Sequence, residues 1–257
     1  MKSVKKLIDY INSDIPPNKS YRHEFKYEIN SNQLEILKFR LPSIMKSDAH
    51  TNENGFYQIR SLYFDDYYNS CYYENENGTD PREKFRIRIY NGSSSFIKFE
   101  QKRKEHGKTF KSSCLVTKEQ VEQIIDGKGI TWDDNMNELL KKLYILQETK
   151  GMLPKVIVEY DRIPFVYKEG NVRATLDLDI RTSTDIESFL EPDINCRLIM
   201  PEGKDLLEVK YDEFLPDFIN QTLQLNSLRQ TTFSKYYLCR KFGGLLWHST
   251  TFLKSLF

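Results

Sequence analysis

Charged side chains recur at every second residue in several segments, and this spacing constrains the fold more than any other feature of the chain. Residues 22–26, 84–88 and 98–102 each carry three charges at spacing two, with mostly apolar residues between them. In a β-strand, period two places one set of side chains on one face and the intervening set on the other. The pattern therefore predicts strands with one charged face and one apolar face.

Two arrangements of such strands remain open at this point. An ordinary antiparallel sheet would turn its charged face to water and its apolar face to the core. The water-exposed face of an ordinary sheet usually mixes charges of both signs with Ser and Thr. Here Arg86 and Arg88 instead repeat a positive charge on the same face. If the strands instead close with their apolar faces outward under helices, the charged faces line a lumen. Such a lumen requires water, a polyanion and metal ions to offset its charge, and Arg and Lys are suited to binding phosphate.

Composition excludes several classes of protein. Aromatic residues make up 13% of the 257 residues, which favours a strand-rich fold. Thirty-eight Lys+Arg against 37 Asp+Glu argue against nucleic acid as a partner, although a local basic site is allowed. The four cysteines are far apart in the sequence, so no zinc knuckle or disulfide framework is expected.

The chain starts without a secretory signal pattern, and its longest apolar run, 242–247, is too short to span a bilayer. We therefore expect a cytoplasmic protein.

Turn and capping signals predict about eight strands with helices between some of them. Residues 1–20 are expected to form a short helix and linker, and residues 21–257 a single α+β domain. Asn91 and Gly92 predict a tight hairpin, since type I′ turns need positive φ at both central residues. Asp65 and Asp66 are expected to cap a helix over 67–73.

Eight short motifs resemble a known family when they are taken in order along residues 21–240. They are RHEFKY (22–27), IRSLYFD (59–65), KFRIRIY (84–90), FEQK (99–102), EYDR (159–162), VRATLDLD (172–179), LEVK (207–210) and FSKY (233–236). Together they resemble the VTC domain, the catalytic core of the vacuolar transporter chaperone polyphosphate polymerases, within the triphosphate tunnel metalloenzymes. The resemblance implies an eight-stranded antiparallel closed β-barrel with helices packed outside it.

The same resemblance implies an enzyme that moves the γ-phosphoryl group of ATP onto a growing polyphosphate chain and releases ADP. Mn²⁺ or Mg²⁺ would be the cofactor, ATP and polyphosphate the ligands, and any membrane partner a separate protein. Two alternatives stay open. One is a triphosphatase or polyphosphatase of the same fold, in which water replaces polyphosphate as the acceptor. The other is a non-catalytic module that binds polyphosphate.

Site residues follow from the positions that match the motifs. The resemblance implies catalytic roles for Arg86, Arg88, Lys26, Arg162 and Lys235. It implies phosphate contacts for Arg22, Arg60, Lys102, Tyr160, Arg173, Ser234 and Lys210. It implies metal binding for Glu208 and Glu24.

Some of these positions carry a further expectation. Glu24 has simple pairing with a neighbouring cation as an equal alternative to metal binding. Arg22 departs from the Glu-x-Glu-x-Lys pattern of the wider superfamily, and this departure fits the polymerase branch. Lys98 and Glu100 share a face with Lys102 and either join the site or pair with each other. Asp177 is expected near a strand end, facing solvent.

Overall fold

The computed structural model describes residues 22–225 and 228–245, so the helix and linker predicted for residues 1–20 lie outside the described residues. The strands are β1 (His23–Asn30), β2 (Lys46–Ser47), β3 (Tyr57–Asp65), β4 (Arg82–Tyr90), β5 (Ser93–Glu105), β6 (Lys108–Leu115), β7 (Leu153–Tyr167), β8 (Val172–Ser183), β9 (Arg197–Leu198) and β10 (Lys204–Tyr211). The α-helices of this part of the chain are α1 (Ser31–Arg40), α2 (Ser70–Glu76), α3 (Lys118–Ile125), α4 (Glu138–Lys150), α5 (Asp217–Leu223) and α6 (Lys235–Arg240). None of these helices is long and apolar enough to cross a membrane.

Eight of the strands form one curled antiparallel sheet in the order β1-β10-β8-β7-β3-β4-β5-β6, with β2 paired to β7 and β9 to β8. The predicted α+β class is therefore correct. The two edge strands approach each other at Arg22 and Thr109, which exchange backbone hydrogen bonds of 3.0 and 3.1 Å. Within the described residues the edges pair only at this point. The sheet is an open half-barrel, and the predicted closed barrel is not confirmed.

Two connections between elements can be compared with the turn and capping residues that predicted them. Asn91 and Gly92 have φ of +52° and +62°, and Tyr90 pairs with Ser93, so the predicted tight hairpin is present. The Asp65 carboxylate accepts the backbone N–H of Cys71 at 2.8 Å. Asp65 thus accepts from the first turn of α2 but is not its N-cap: α2 begins three residues later than expected, and Asn69 occupies the N-cap position.

Helices cover the outer, apolar face of the sheet. Ile87 and Phe99 of β4 and β5 are fully buried in one hydrophobic cluster with Val121 of α3 and Leu143 of α4. A second cluster joins β1, β8 and β10 to α1 and α5. Burying each large apolar side chain contributes about 1.5–3 kcal/mol, so these contacts fix which face of the sheet turns outward. The inner face is left to the charged residues.

Candidate active site

The inner face of the sheet lines a cavity of about 1280 Å³. Its walls carry fourteen Lys and Arg side chains and only three carboxylates among the described residues. The cations are Arg22, Lys26, Arg82, Lys84, Arg86, Arg88, Lys98, Lys102, Lys104, Lys111, Arg162, Arg173, Lys210 and Lys235, and the carboxylates are Glu24, Asp48 and Glu208. Like charges this concentrated repel one another, so the cavity is suited to a ligand with several negative charges.

Two arginines on β4 form the first cluster of the cavity wall. Glu100 accepts a hydrogen bond from Arg86 Nε at 2.7 Å, and Arg86 Nη1 donates to the Tyr63 hydroxyl at 2.7 Å. Arg88 Nε donates to Ser61 Oγ at 3.2 Å, and Arg88 Nη1 lies 3.8 Å from Glu100. Burial alone would raise the pKa of Glu100, but Arg88 and Arg86 hold it well below its usual range. Glu100 is therefore an anion that fixes two guanidinium groups side by side.

Arg162 and Lys235 form a second cluster around Asp177. Arg162 Nε and Nη2 donate to the two Asp177 oxygens at 2.6 and 2.8 Å, and Lys235 Nζ lies 2.5 Å from Oδ2. Asp177 is fully buried, so the expectation that it faces solvent is wrong. The reason is the pairing of β7 with β8, which places Arg162 directly opposite Asp177 on the inner face.

The two predicted metal ligands lie on neighbouring strands and share a cation. Lys26 Nζ is 3.2 Å from Glu24 and 3.6 Å from Glu208. Lys102 Nζ is 2.7 Å from Glu24, and Lys210 Nζ is 3.0 Å from Glu208. Burial raises the pKa of Glu24, but Lys102, Lys26 and Lys210 together outweigh it and bring that pKa to about 2. The pKa of Glu208 is likewise well below its usual range, since Lys210, Lys26 and Lys235 together outweigh burial. Both carboxylates are therefore ionised at neutral pH.

Lys84 differs from these cations in its partners. Its ammonium donates to Ser234 Oγ at 3.0 Å and to the Asn75 side-chain oxygen, both neutral. No carboxylate of the described residues forms an ion pair with it. Burial lowers the pKa of Lys84 well below its usual range, and repulsion from Lys102 and Lys26 lowers it further. Lys84 is thus a part-buried cation that lacks a counter-ion of its own among the described residues.

A family model described as the VTC domain matches residues 21–242 of the chain. The chain belongs to the VTC domain family. No curated protein sequence matches it. The fold of this VTC domain is similar to that of a candidate adenylyl cyclase from Hippeastrum with a dominant triphosphatase activity (TM-score 0.50, 13% identity, 88% of this chain and 97% of that chain). At this identity the likeness shows a common fold alone.

Two further solved structures are more distant from the VTC domain. One is the PH1819 protein of Pyrococcus horikoshii, with a TM-score of 0.46 and 14% identity over 86% of this chain and 99% of that chain. The other is the Mimivirus capping enzyme triphosphatase, with a TM-score of 0.35 and 10% identity over 86% of this chain and 91% of that chain.

The VTC domain brings thirteen of the fourteen predicted site residues to the cavity wall, and the exception is Arg60. Arg60 is 1% exposed and points to the outer face of β3. Its Nε lies 2.5 Å from Glu159 Oε2, and its Nη1 and Nη2 donate to the backbone oxygens of Phe189 and Pro192 at 3.1 and 3.0 Å. Its predicted position inside the tunnel is therefore wrong. Arg60 fastens the segment 187–192 of the VTC domain to the sheet.

Four cavity cations of the VTC domain are absent from the predicted set, and a fifth, Lys98, was left open. The four are Arg82, Lys84, Lys104 and Lys111. Arg82 and Lys84 continue the period-two row of Arg86 and Arg88, which was the signal that could have found them. Lys111 lies opposite Lys102 in the pairing of β5 with β6, a relationship that only the register reveals.

Proposed function

We propose that this VTC domain is a polyphosphate polymerase that transfers the γ-phosphoryl group of ATP to a growing polyphosphate chain inside the basic cavity. The observation that carries the proposal is the excess of fourteen cations over three carboxylates around one cavity. Phosphoryl transfer depends mainly on in-line positioning and on neutralising charge on the transferred group. A wall of fixed cations supplies both, and it also suits an acceptor that is itself a chain of phosphates.

The fixed arginines are assigned to the transferred phosphoryl group. Glu100 holds Arg86, and Asp177 holds Arg162 and Lys235, so these cations are oriented before substrate arrives. Preorganised charges stabilise a transition state without reorganisation during the reaction. The other predicted catalytic and phosphate-binding residues that line the cavity are assigned to the rest of the donor triphosphate and to the acceptor chain. They are Arg22, Lys26, Arg88, Lys102, Tyr160, Arg173, Ser234 and Lys210.

Glu24 and Glu208 fit a divalent ion that binds together with substrate. Both are ionised oxygen donors, the type that Mg²⁺ and Mn²⁺ prefer. The described residues contain no group of three or more His, Cys, Asp or Glu side chains placed to hold a metal. Phosphate oxygens and water would therefore complete the coordination. When bound, such an ion would neutralise charge on the substrate phosphates.

The state of the cavity carboxylates favours transfer over hydrolysis. Glu24 and Glu208 both contact lysines and have lowered pKa values, so they are weak bases. Asp48 is paired with Arg173. Hydrolysis needs a base that takes a proton from the attacking water, and these carboxylates are poorly suited to that role. Transfer to polyphosphate needs no such base, because the terminal phosphate of the acceptor is already ionised. The second candidate is a triphosphatase, which the shared fold with the Hippeastrum protein favours.

Incubation with ATP and Mn²⁺ or Mg²⁺ distinguishes these functions. We expect long-chain polyphosphate on a gel together with release of ADP. Orthophosphate release without polymer would identify a triphosphatase, and binding of tripolyphosphate without turnover would identify a binding module. Arg86→Ala should lower polymer synthesis about 10²-fold or more, while Glu100 keeps Arg88 and Lys111 as partners and the fold is retained. Lys128→Ala, which removes an exposed cation outside the cavity, is the matched control.

A further inference from the structure

The two ends of the cavity differ in chemistry along β4 and β5. At one end Arg82 lies opposite Lys104 and Lys84 opposite Lys102 in the strand register, so the inward-facing positions of β4 and β5 are all cations there. At the other end, about 27 Å along β4 from Arg82, the inner face ends in Tyr90. The cavity therefore runs from a cationic end to an aromatic end.

Three aromatic rings on neighbouring strands form the second end. The Tyr57 and Tyr90 rings meet edge to face at 5.9 Å between centroids, and Tyr90 and Phe96 lie 6.5 Å apart. All three residues line the cavity, and Phe96 is 45% exposed. Phe96 is thus an apolar ring presented to the cavity, whereas the aromatic residues of the outer face, such as Phe85, are buried under helices.

Cations lie directly beside this aromatic end. Lys98 Nζ lies over one face of the Phe96 ring, 4.7 Å from its centroid, which leaves the other face for a ligand, and Lys98 is opposite Arg88 in the register of β4 and β5. A ligand that spans both features needs a flat ring joined to a chain of phosphates. A nucleoside triphosphate has this chemistry, because every nucleobase has a face that stacks on aromatic side chains.

We propose that Phe96, supported by Tyr90 and Lys98, is a nucleobase subsite on which the base of the donor nucleoside triphosphate stacks. The proposal rests on the proposed function for the identity of the donor. Stacking makes few distinctions between bases, so GTP should bind there as well as ATP. The subsite also gives the cavity a direction, with the nucleoside at the aromatic end and the polyphosphate chain toward Arg82, Lys84 and Lys104.

The test compares the Kd of ATP with that of tripolyphosphate, which has the same phosphates and no base. Loss of base stacking corresponds to about a 5- to 150-fold change. We therefore expect Phe96→Ala to raise the Kd of ATP at least about fivefold and that of tripolyphosphate less than about twofold. Phe96→Tyr should keep wild-type affinity for both ligands. Tyr68→Ala removes a ring that is 76% exposed outside the cavity and should change neither Kd.

An unchanged ratio of the two Kd values in Phe96→Ala would overturn the subsite. Phe96→Leu keeps the apolar volume and removes the aromatic face, so it answers the same question if the alanine variant is unstable. The binding assay needs no turnover. A chain that binds ATP but makes no polymer would therefore reject the proposed function and still test the subsite.

Discussion

Asp177 holds the guanidinium of Arg162 through two parallel hydrogen bonds, 2.6 Å from Nε and 2.8 Å from Nη2. This bidentate geometry fixes the plane of the guanidinium as well as its position. The same carboxylate contacts Lys235 at the start of α6, so one buried anion orients two cavity cations from β7 and α6. Two cations of the cavity wall are thus oriented by an anion that does not itself line the cavity.

Asp177→Asn should lower the free energy of unfolding by about 3 kcal/mol, because Lys235 loses the carboxylate that it pairs with and Arg162 keeps only Glu208 as a partner. Urea unfolding followed by circular dichroism measures this, and tripolyphosphate should restore part of the loss. Asp126→Asn breaks an exposed pair with Lys128, of 2.9 Å, and should change stability by less than about 0.5 kcal/mol. Equal effects of the two substitutions would contradict the role given to Asp177.

Lys84→Met should stabilise the free protein by about 1 kcal/mol, since it removes a part-buried cation that has no carboxylate partner among the described residues. The same change should weaken polyphosphate binding, because the cavity wall loses one positive charge that could pair with a phosphate. Thermal unfolding without ligand and a polyphosphate titration give the two measurements. A variant that is less stable and binds polyphosphate normally would show that Lys84 serves the fold instead.

Glu208→Gln should raise the Mn²⁺ concentration needed for half-maximal activity about tenfold or more, in line with loss of a metal ligand. Without metal, the variant should bind tripolyphosphate at least as tightly as the wild-type chain, because an anion has left the cavity wall. Isothermal titration with and without Mn²⁺ separates these effects. A wild-type metal response would place the ligand elsewhere.

The charged inner face could be predicted from the sequence because side-chain alternation in a strand is a local property. The hairpin at Asn91 and Gly92 was predictable for the same reason, since positive φ is a requirement of two adjacent residues. Both features depend on only a few neighbouring positions, and the structure has both.

Arg60 and Asp177 were misplaced because their positions depend on partners far away in the chain. On β3 the apolar Ile59 lines the cavity and Arg60 points outward, the reverse of the usual pattern, and the distant Glu159 makes this possible. The register of β7 with β8 shifts at a bulge between Glu159 and Asp161, so the residue opposite Asp177 could not be read from spacing. Whether the sheet closes into a barrel likewise depends on contacts between its edge strands β1 and β6, which are far apart in the sequence.

Lys111 should make tripolyphosphate binding depend on pH near neutrality. The Lys111 side chain is 45% exposed, and partial burial of its ammonium, with repulsion from Arg88 and Arg86, lowers its pKa to about 7 despite its contact with Glu100. As pH rises through this value, Lys111 loses its proton and the cavity loses one positive charge. Binding should therefore weaken on this account, whereas the ionisation of the ligand acts in the opposite sense.

Comparison of the wild-type chain with Lys111→Met isolates this contribution, because the ligand titrates identically in both. Below pH 7 the wild-type chain should bind tripolyphosphate about three- to tenfold more tightly than the variant, as expected for one partly exposed charged hydrogen bond. The advantage should fall toward one above pH 8. Lys128→Met, which removes an exposed cation outside the cavity, should show no such trend. A ratio that stays constant from pH 6 to pH 9 would show that Lys111 does not titrate in this range.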